Sequence, residues 1–338
     1  MVPRHTHPKN DPKHVVGRRR ARPANGEWRS SDLPLAVWPC AQKTSQWQRY
    51  GRYLPESNRH PAKMLPEIAR RAIVAYSDPG DLVLDPMCGI ATTVIEAIHS
   101  GRQAIGVELE PRWASLAAKN ITHARKQGAA GHALVLQDDA RRLGRGVLDD
   151  LAGEVSLILT SPPYSNATLG DPRSGNGMAR ARACEGRRVT TADRACASQA
   201  PNSCRYGDSD ASVAQLQYGT TDQALSPQGK ESYLTAMASI YRACAGMLKP
   251  GGYLVLVTRN LRAAGAMRNI AGDTITLCQH AGLVFQQHII ALLAVLRDDG
   301  LLPRPSYFQL THTRHALARG ERTRLVCHED ILALQKPA

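Results

Sequence analysis

Residues 81–93, with the sequence DLVLDPMCGIATT, decide the fold. Leu82 to Leu84 form a short apolar run typical of a buried strand, and from Thr92 onward apolar side chains recur at helical spacing. The turn between them carries Gly89 and the small Ala91, so a ligand can approach the backbone closely. These residues predict a strand, a ligand-binding turn and a helix.

Two more apolar strands end in acidic residues. Residues 104–108 end in Glu108, 23 positions after Asp85, and residues 133–136 are followed by Asp138 and Asp139. An acid at the carboxyl end of the second strand is placed to accept hydrogen bonds from ribose hydroxyls. An acid after the third strand could accept one from an adenine amino group. A solvated strand end or a helix N-cap would use the same residues.

A nicotinamide-dinucleotide fold also combines a strand, a glycine turn and a ribose acid. Here the turn lacks the G-x-G-x-x-G pattern, and Asp85-Pro86 puts a carboxylate where a pyrophosphate would need open N–H groups. A carboxylate at that place suits a cationic ligand, such as the amino group of a methionine moiety.

A third motif, Thr160-Ser161-Pro162-Pro163-Tyr164, directly follows the apolar run 155–159. The prolines fix φ and leave a carbonyl with no neighbouring N–H. That carbonyl and the Ser161 hydroxyl can accept hydrogen bonds from an exocyclic amine, and Tyr164 offers a face for stacking an extruded base. The motif therefore predicts chemistry on a nucleobase amino group, although Pro-Pro pairs also occur in ordinary turns.

Composition agrees with a nucleic-acid partner. The 338 residues carry a net charge of +14, which favours a polyanion. The sequence has no long apolar span and no signal core, and the eight cysteines form no C-x-x-C pair. We therefore predict a cytoplasmic protein with reduced thiols, no membrane span and no metal site.

The chain is predicted to alternate strands and helices around a parallel sheet. The predicted strands are 82–85, 104–108, 133–136, 155–160, 253–258, 283–290 and 330–334, and the predicted helices are 91–101, 111–126, 140–150, 233–248 and 264–281, with a turn at 249–252. The last two strands are expected to be antiparallel neighbours. Residues 1–30 are predicted to form a basic disordered arm, and residues 165–230 a flexible insertion that could contact DNA.

Two segments combine aromatic and cationic residues. Trp38, Trp47, Tyr50 and Tyr53 lie among basic residues and are expected either to line a substrate groove or to pack over the cofactor cleft. Residues 303–324 form the second segment, and its predicted DNA contacts are Tyr307, Arg314, Arg319 and Arg322. A solvated hairpin is the alternative for this second segment.

Together these motifs resemble the S-adenosylmethionine-dependent DNA amino-methyltransferases, which modify adenine at N6 or cytosine at N4. The resemblance covers residues 59–334, with the cofactor motifs before the catalytic one, as in the unpermuted subclass. It departs from the family at Ala91, where a second glycine is usual, and at Asp138, which replaces a glycine. The resemblance implies a Rossmann-like fold with a mostly parallel seven-stranded sheet, an antiparallel closing strand and helices on both faces, spanning residues 31–338.

The resemblance also assigns roles to residues. The expected catalytic residues are Ser161, Pro162, Pro163 and Tyr164, and the expected S-adenosylmethionine-binding residues are His60, Lys63, Asp85, Pro86, Met87, Cys88, Gly89, Thr92, Thr93, Glu108 and Asp139. The expected substrate is double-stranded DNA, as in restriction-modification systems. Ser161 as first residue of the catalytic motif favours cytosine N4 over adenine N6. An RNA amino-methyltransferase and an inactive DNA-binding relative remain alternatives.

Overall fold

The computed structural model describes residues 33–61, 63–146, 148–164, 225, 229–263, 266–305 and 307–338. The predicted arm of residues 1–30 lies outside these ranges. So does the predicted insertion, apart from residues 225 and 229–230. Both assignments stay predictions.

An eight-stranded sheet forms the centre of the described part of the chain, in the order β1-β9-β12-β6-β5-β2-β3-β4. Its strands are β1 (Val37–Pro39), β2 (Leu82–Asp85), β3 (Gln103–Glu108), β4 (Ala133–Gln137), β5 (Val155–Thr160), β6 (Leu248–Thr258), β9 (Val284–Leu292) and β12 (His328–Gln335). Strand β12 is antiparallel to both β6 and β9, and the other neighbouring strands are parallel. The mostly parallel α/β fold is confirmed. The short edge strand β1 makes the sheet one strand larger than predicted.

Helices cover both faces of the sheet, as predicted. They are α1 (Ser45–Arg49), α2 (Pro66–Tyr76), α3 (Thr92–His99), α4 (Pro111–Lys126), α5 (Lys230–Met247), α6 (Ile270–His280) and α7 (Tyr307–Ala318). Buried side chains of α2, α3 and α4 form one apolar core against the sheet, and those of α5 and α6 form the other. Two hairpins, β7 (Leu261–Ala263) with β8 (Ala266–Arg268) and β10 (Ala294–Arg297) with β11 (Gly300–Pro303), complete the described elements.

Parallel strands bring their carboxyl ends to one edge of the sheet. Strands β2, β3, β4 and β5 end there at Asp85, Glu108, Gln137 and Thr160. Ligands of open α/β sheets bind outside this edge. The edge is therefore where the predicted cofactor and catalytic motifs meet.

Three predicted elements differ in the structure. Residues 140–150 form two short 3₁₀ turns, Ala140–Arg142 and Asp149–Leu151, in place of a helix. Glycines 144 and 146 both have positive φ between these turns, which a continuous helix does not allow. Residues 261–263 and 266–268 pair as β7 and β8, so α6 is shorter than predicted. The predicted turn at 249–252 lies within β6 as an irregularity in its register with β5.

The aromatic residues near the N-terminus differ in exposure, and Tyr53 is buried. Trp47 is 58% exposed and Tyr50 is 87% exposed. The carbonyl of the adjacent Gly51 accepts hydrogen bonds from His123 and Gln127, at the C-terminal end of α4. The Gln48 side chain, next to Trp47, accepts from the Glu67 N–H at the start of α2 at 3.0 Å. The aromatic groove stays a prediction.

In the part of the chain that the structure describes, no helix is long and apolar enough to cross a membrane.

The start of α3 contains an unusual backbone conformation. Ala91 has φ +72°, the left-handed region, and is fully buried as the residue before the helix. That conformation costs an L-residue with a Cβ roughly 1–2 kcal/mol. Ala91 therefore keeps the geometry of the glycine that is usual at this position in the resembled family, at some cost in stability.

We expect Ala91→Gly to change the free energy of unfolding by less than about 0.5 kcal/mol, because relief of backbone strain offsets the lost methyl packing and the added chain entropy. The control is Ala97→Gly, an equally buried alanine inside α3. It should lower the free energy of unfolding by about 1.5–2 kcal/mol. Urea denaturation measures both, and equal destabilisation would contradict strain at Ala91.

Candidate active site

Asp85 lies at the end of β2 and is 4% exposed. Its Oδ1 accepts a hydrogen bond of 3.2 Å from the Met87 backbone N–H, which bends the chain across Pro86. Burial raises the pKa of Asp85 to about 6, and the Thr93 and Thr160 hydroxyls and the Met87 N–H act in the opposite direction. A carboxylate that is costly to ionise in the absence of a partner favours a cationic ligand.

The turn after Asp85 is held by backbone hydrogen bonds. The Cys88 N–H donates to the Val107 carbonyl at 2.9 Å, and the Ala91 N–H donates to the Cys88 carbonyl at 2.8 Å. Gly89 has φ +54°, and a Cβ on it would lie 3.2 Å from His60 Nε2. Glycine is thus required there both for its conformation and for the close approach of His60.

Glu108 joins this turn to β3. Its Oε2 accepts from the Gly89 N–H at 2.8 Å and its Oε1 accepts from the Glu110 N–H at 2.9 Å. Burial raises the pKa of Glu108, which the two N–H groups oppose. Each carboxylate oxygen keeps a further lone pair, with which the side chain could accept from hydroxyl groups of a ligand.

His60 and Lys63 lie in the segment before α2, where His60 is close to Gly89 and Lys63 contacts His60. The His60 ring meets the Trp113 ring edge to face, with centroids 4.5 Å apart and planes at 61°. Lys63 Nζ donates to the carbonyls of His60 and Asn58. Burial and the charge of Arg49 lower the pKa of Lys63 to about 8. Trp113, in the first turn of α4, is a wall residue that the motif analysis missed.

The other predicted cofactor residues lie within the turn and the start of α3. Cys88 is buried, and burial raises its thiol pKa well above the ordinary value, so this thiol is not a reactive one. Thr92 and Thr93 open α3, and Thr93 Oγ1 donates to the Leu159 carbonyl on β5 at 3.2 Å. This hydrogen bond connects the cofactor turn to the strand that carries the catalytic motif.

Asp139 has a partner within the protein. Its carboxylate caps the 3₁₀ turn through the Arg141 N–H and forms an ion pair with the Arg141 guanidinium. Burial alone would raise the pKa of Asp139, but Arg141 lowers it overall. An adenine amino group at Asp139 would share the carboxylate with Arg141, a partner that spacing alone did not reveal.

The catalytic motif continues from the buried end of β5, and Ser161 to Tyr164 are all partly exposed. The Tyr233 hydroxyl, near the start of α5, donates to the Pro163 carbonyl at 2.9 Å. Tyr233, which follows residues 165–230 in the sequence, thus holds the second proline in place. No sequence signal pointed to it, because its partner is a backbone atom 70 residues away.

Tyr164 also lines a cavity between α5 and α6, with a volume of about 260 Å³. Tyr233 and Tyr241 contribute further aromatic wall, and Asn269 and Asp273 contribute polar groups. This volume is slightly below the roughly 300–1,000 Å³ of pockets that enclose drug-sized ligands. It is suited to a single heterocycle.

The predicted DNA contacts near the C-terminus are spread along and beyond α7. Arg314, Arg319 and Arg322 are exposed, and Arg319 forms an ion pair of 2.7 Å with Glu321. Tyr307 is the first residue of α7. The segment is therefore largely helical and does not form the alternative hairpin, and its DNA contacts stay a prediction.

S-adenosylmethionine fits the site formed by the turn, Glu108 and His60. Among the described residues, neither Asp85 nor Glu108 forms an ion pair with a lysine or arginine, so a bound cation would offset their burial. Gly89 leaves the backbone open to close approach. In the same described part of the chain, no three His, Cys, Asp or Glu side chains are grouped to hold a metal ion.

Comparison with known proteins finds similarity to DNA and tRNA methyltransferases. The DNA methylase family N6_N4_Mtase matches residues 5–119, which include the turn and Glu108 but not the catalytic motif. The DNA adenine methyltransferase YhdJ of Escherichia coli is 39% identical over 71 residues, 21% of this chain and 24% of that protein. The tRNA (guanine(10)-N2)-dimethyltransferase of Methanocaldococcus jannaschii is 33% identical over 111 residues, 32% of this chain and 31% of that protein.

A solved structure, TrmN from Thermus thermophilus, is 16% identical with a TM-score of 0.44, covering 86% of this chain and 53% of that one. The chain spans about a quarter to a third of the length of the curated relatives above. The part of the chain that matches this family of DNA methylases contains the turn after β2, and S-adenosylmethionine is the cofactor that the site supports.

The raised pKa of Asp85 predicts a pH dependence of stability. Its folded pKa of about 6 exceeds the ordinary 3.8, so folding takes up a proton between these values and the free energy of unfolding decreases as pH rises through them. Asp85→Asn removes this decrease. The free energy of unfolding of Asp85→Asn, measured relative to that of wild type, should therefore rise by about 1–1.5 kcal/mol from pH 5 to pH 7.5.

Urea denaturation at the two pH values measures this difference. Asp149→Asn, which replaces a more exposed acid in a 3₁₀ turn, serves as the control. If the free energies of unfolding of Asp85→Asn and wild type change equally between the two pH values, the pKa of Asp85 is not near 6.

Proposed function

We propose that the protein is a DNA methyltransferase that transfers the methyl group of S-adenosylmethionine to an exocyclic amino group of a base, with cytosine N4 favoured. The adjacency of β5 and β2 carries the proposal. Leu84 pairs with Ile158 in the sheet, so Asp85 and the motif that begins at Ser161 leave neighbouring strand ends. A cofactor held at the first and an amine held at the second would lie next to each other.

The residues after β5 supply acceptors for an amine. The Ser161 hydroxyl and the Pro162 carbonyl can each accept one N–H of an exocyclic amino group. An aromatic amine is a weak nucleophile because its lone pair is delocalised into the ring. Two such hydrogen bonds would pull the nitrogen toward tetrahedral geometry and expose the lone pair, which is catalysis by positioning.

Tyr233 supports this geometry. By donating to the Pro163 carbonyl at 2.9 Å, its hydroxyl satisfies that acceptor and holds the Pro-Pro unit in place. The Pro162 carbonyl precedes a residue without an N–H. It is thus the natural acceptor for substrate.

The cofactor side is held by different residues. Asp85 would face the cationic amino group of the methionine moiety and Glu108 the ribose hydroxyls, with His60 and Lys63 closing the wall. When bound, S-adenosylmethionine supplies an electrophilic methyl carbon, and the carbon–sulfur bond breaks as the nitrogen–carbon bond forms. The alkylated nitrogen is acidic enough to lose its proton to water, so the site needs no strong general base.

Tyr164 would hold the base itself. Its ring borders the cavity between α5 and α6, whose size suits one heterocycle. Stacking on an aromatic face contributes roughly 1–3 kcal/mol per base. An extruded base could rest on Tyr164 while its amino group reaches Ser161.

Charge supports a polyanionic substrate. The chain carries a net charge of +14, and Arg314, Arg319 and Arg322 are exposed on and beyond α7. Such side chains would bind phosphates and position the duplex. The basic residues 1–30 and the segment 165–230 are proposed to add contacts.

RNA is the second candidate substrate. The similarity to a tRNA (guanine(10)-N2)-dimethyltransferase, 33% identical over 111 residues, favours it. That enzyme's name also places the methyl group on an exocyclic amine, so the same acceptors would serve.

Methyl transfer from labelled S-adenosylmethionine to unmethylated genomic DNA and to total RNA tests the proposal. We expect N4-methylcytosine in DNA, identified by mass spectrometry of the nucleosides. Tyr164→Ala should lower the rate about 10- to 100-fold, since stacking holds the base in line. Tyr164→Phe, which keeps the ring, should retain most of the activity.

Tyr50→Ala is the matched control, because Tyr50 is 87% exposed and does not line the cavity that Tyr164 borders. It should behave as wild type. Detection of N6-methyladenine would support the same mechanism with adenine as the target base. Labelled RNA without labelled DNA would support RNA as the substrate. No transfer to either substrate would contradict the proposed function.

A further inference from the structure

Trp113 has a buried polar atom that the fold does not satisfy. The side chain is 8% exposed, and its Nε1 is buried with no hydrogen-bond partner among the described residues. Buried N–H donors are nearly always paired, because an unpaired donor loses its hydrogen bond to water without replacement. An unpaired indole N–H beside a ligand site suggests that the ligand supplies the acceptor.

The position of Trp113 supports this inference. Its ring contacts the His60 ring, with centroids 4.5 Å apart. His60 Nε2 in turn lies 3.2 Å from where a Cβ on Gly89 would be, and the Gly89 N–H is bound to Glu108. Trp113, His60, Gly89 and Glu108 thus follow one another along a single wall of the cofactor site.

Charge along this wall is divided. Asp85 and Glu108 are acceptors, suited to the amino group and ribose hydroxyls of the cofactor. Two cations lie near Trp113, and the buried Glu110, whose N–H is bound to Glu108, precedes the same helix. The Arg112 guanidinium lies 4.6 Å from the Trp113 ring centroid, and Lys63 reaches the His60 carbonyl. Of the parts of S-adenosylmethionine, its carboxylate is the one that such surroundings favour.

We propose that Trp113 is a cofactor-binding residue whose Nε1–H donates a hydrogen bond to the carboxylate of the methionine moiety of S-adenosylmethionine. The indole would thereby fix the methionine end of the cofactor, while Glu108 fixes the adenosine end. This assignment depends on the cofactor and not on the methyl acceptor.

Two ligands distinguish binding of the methionine part of the cofactor from binding of its adenosine part. S-adenosylhomocysteine carries the amino-acid carboxylate, and 5′-methylthioadenosine lacks the amino-acid group. Calorimetric titration of Trp113→Phe should show binding of S-adenosylhomocysteine weakened about tenfold or more, and binding of 5′-methylthioadenosine changed less than about twofold. Trp47→Phe, the same substitution at a 58% exposed site, should change neither.

Equal losses for both ligands would overturn the proposal, since the indole would then act by packing or on the adenosine. No loss for either ligand would overturn it as well. The titration contains no DNA, so its result does not depend on the outcome of the methyl-transfer experiment. Failure of this proposal and failure of the proposed function can therefore be told apart.

A measurement on the wild-type protein covers the case in which Trp113→Phe does not fold. The chain has four tryptophans, so a ¹⁵N-labelled sample gives four indole N–H resonances. Substitution of the other three by Phe assigns that of Trp113 by elimination. It should move downfield on addition of S-adenosylhomocysteine and stay in place with 5′-methylthioadenosine, and any other pattern contradicts the proposal.

Discussion

The carboxylate of Glu108 is the contact on which the site depends. It accepts two backbone N–H groups, from Gly89 at 2.8 Å and from Glu110 at 2.9 Å, and so joins the turn after β2 to the start of α4. Hydrogen bonds to an ionised acceptor are stronger than neutral ones, and this one is buried. Without it, two N–H groups would lose their acceptor and the glycine turn would no longer be tied to β3.

A network of hydrogen bonds around Glu96 supports the segment of the site that contains His60. Arg52 donates to both oxygens of Glu96 on α3, at 2.7 and 2.6 Å, and the Tyr53 hydroxyl donates to Oε1 at 2.7 Å. Asn120 on α4 accepts from the Leu54 N–H at 3.0 Å. These contacts fix the segment that leads to His60. The wall is thus built from three separated stretches of chain, which meet only because α3 and α4 pack side by side.

The sequence predicted seven strands of the central sheet because each is a short, largely apolar run, and 82–85, 104–108, 155–160 and 253–258 also end in a carboxylate or a threonine. It failed at residues 140–150, where glycines with positive φ interrupt the helix. Two partners were also missed: Arg141, which binds Asp139 within one local 3₁₀ turn, and Tyr233, which binds Pro163 across a long stretch of sequence. Trp113 was missed because a single aromatic in a helix has no motif, and only its unpaired Nε1 distinguishes it from an ordinary core residue.

The central claim is that the turn and Glu108 form the cofactor site. Calorimetric titration of S-adenosylhomocysteine into wild type and Glu108→Gln tests it most directly, with Glu56→Gln, an exposed acid, as control. The amide keeps the shape but presents an NH₂ group to one of the two N–H donors and to the ribose. We expect binding at least about tenfold weaker than wild type, with the control unchanged. Unaltered binding in Glu108→Gln would contradict the account.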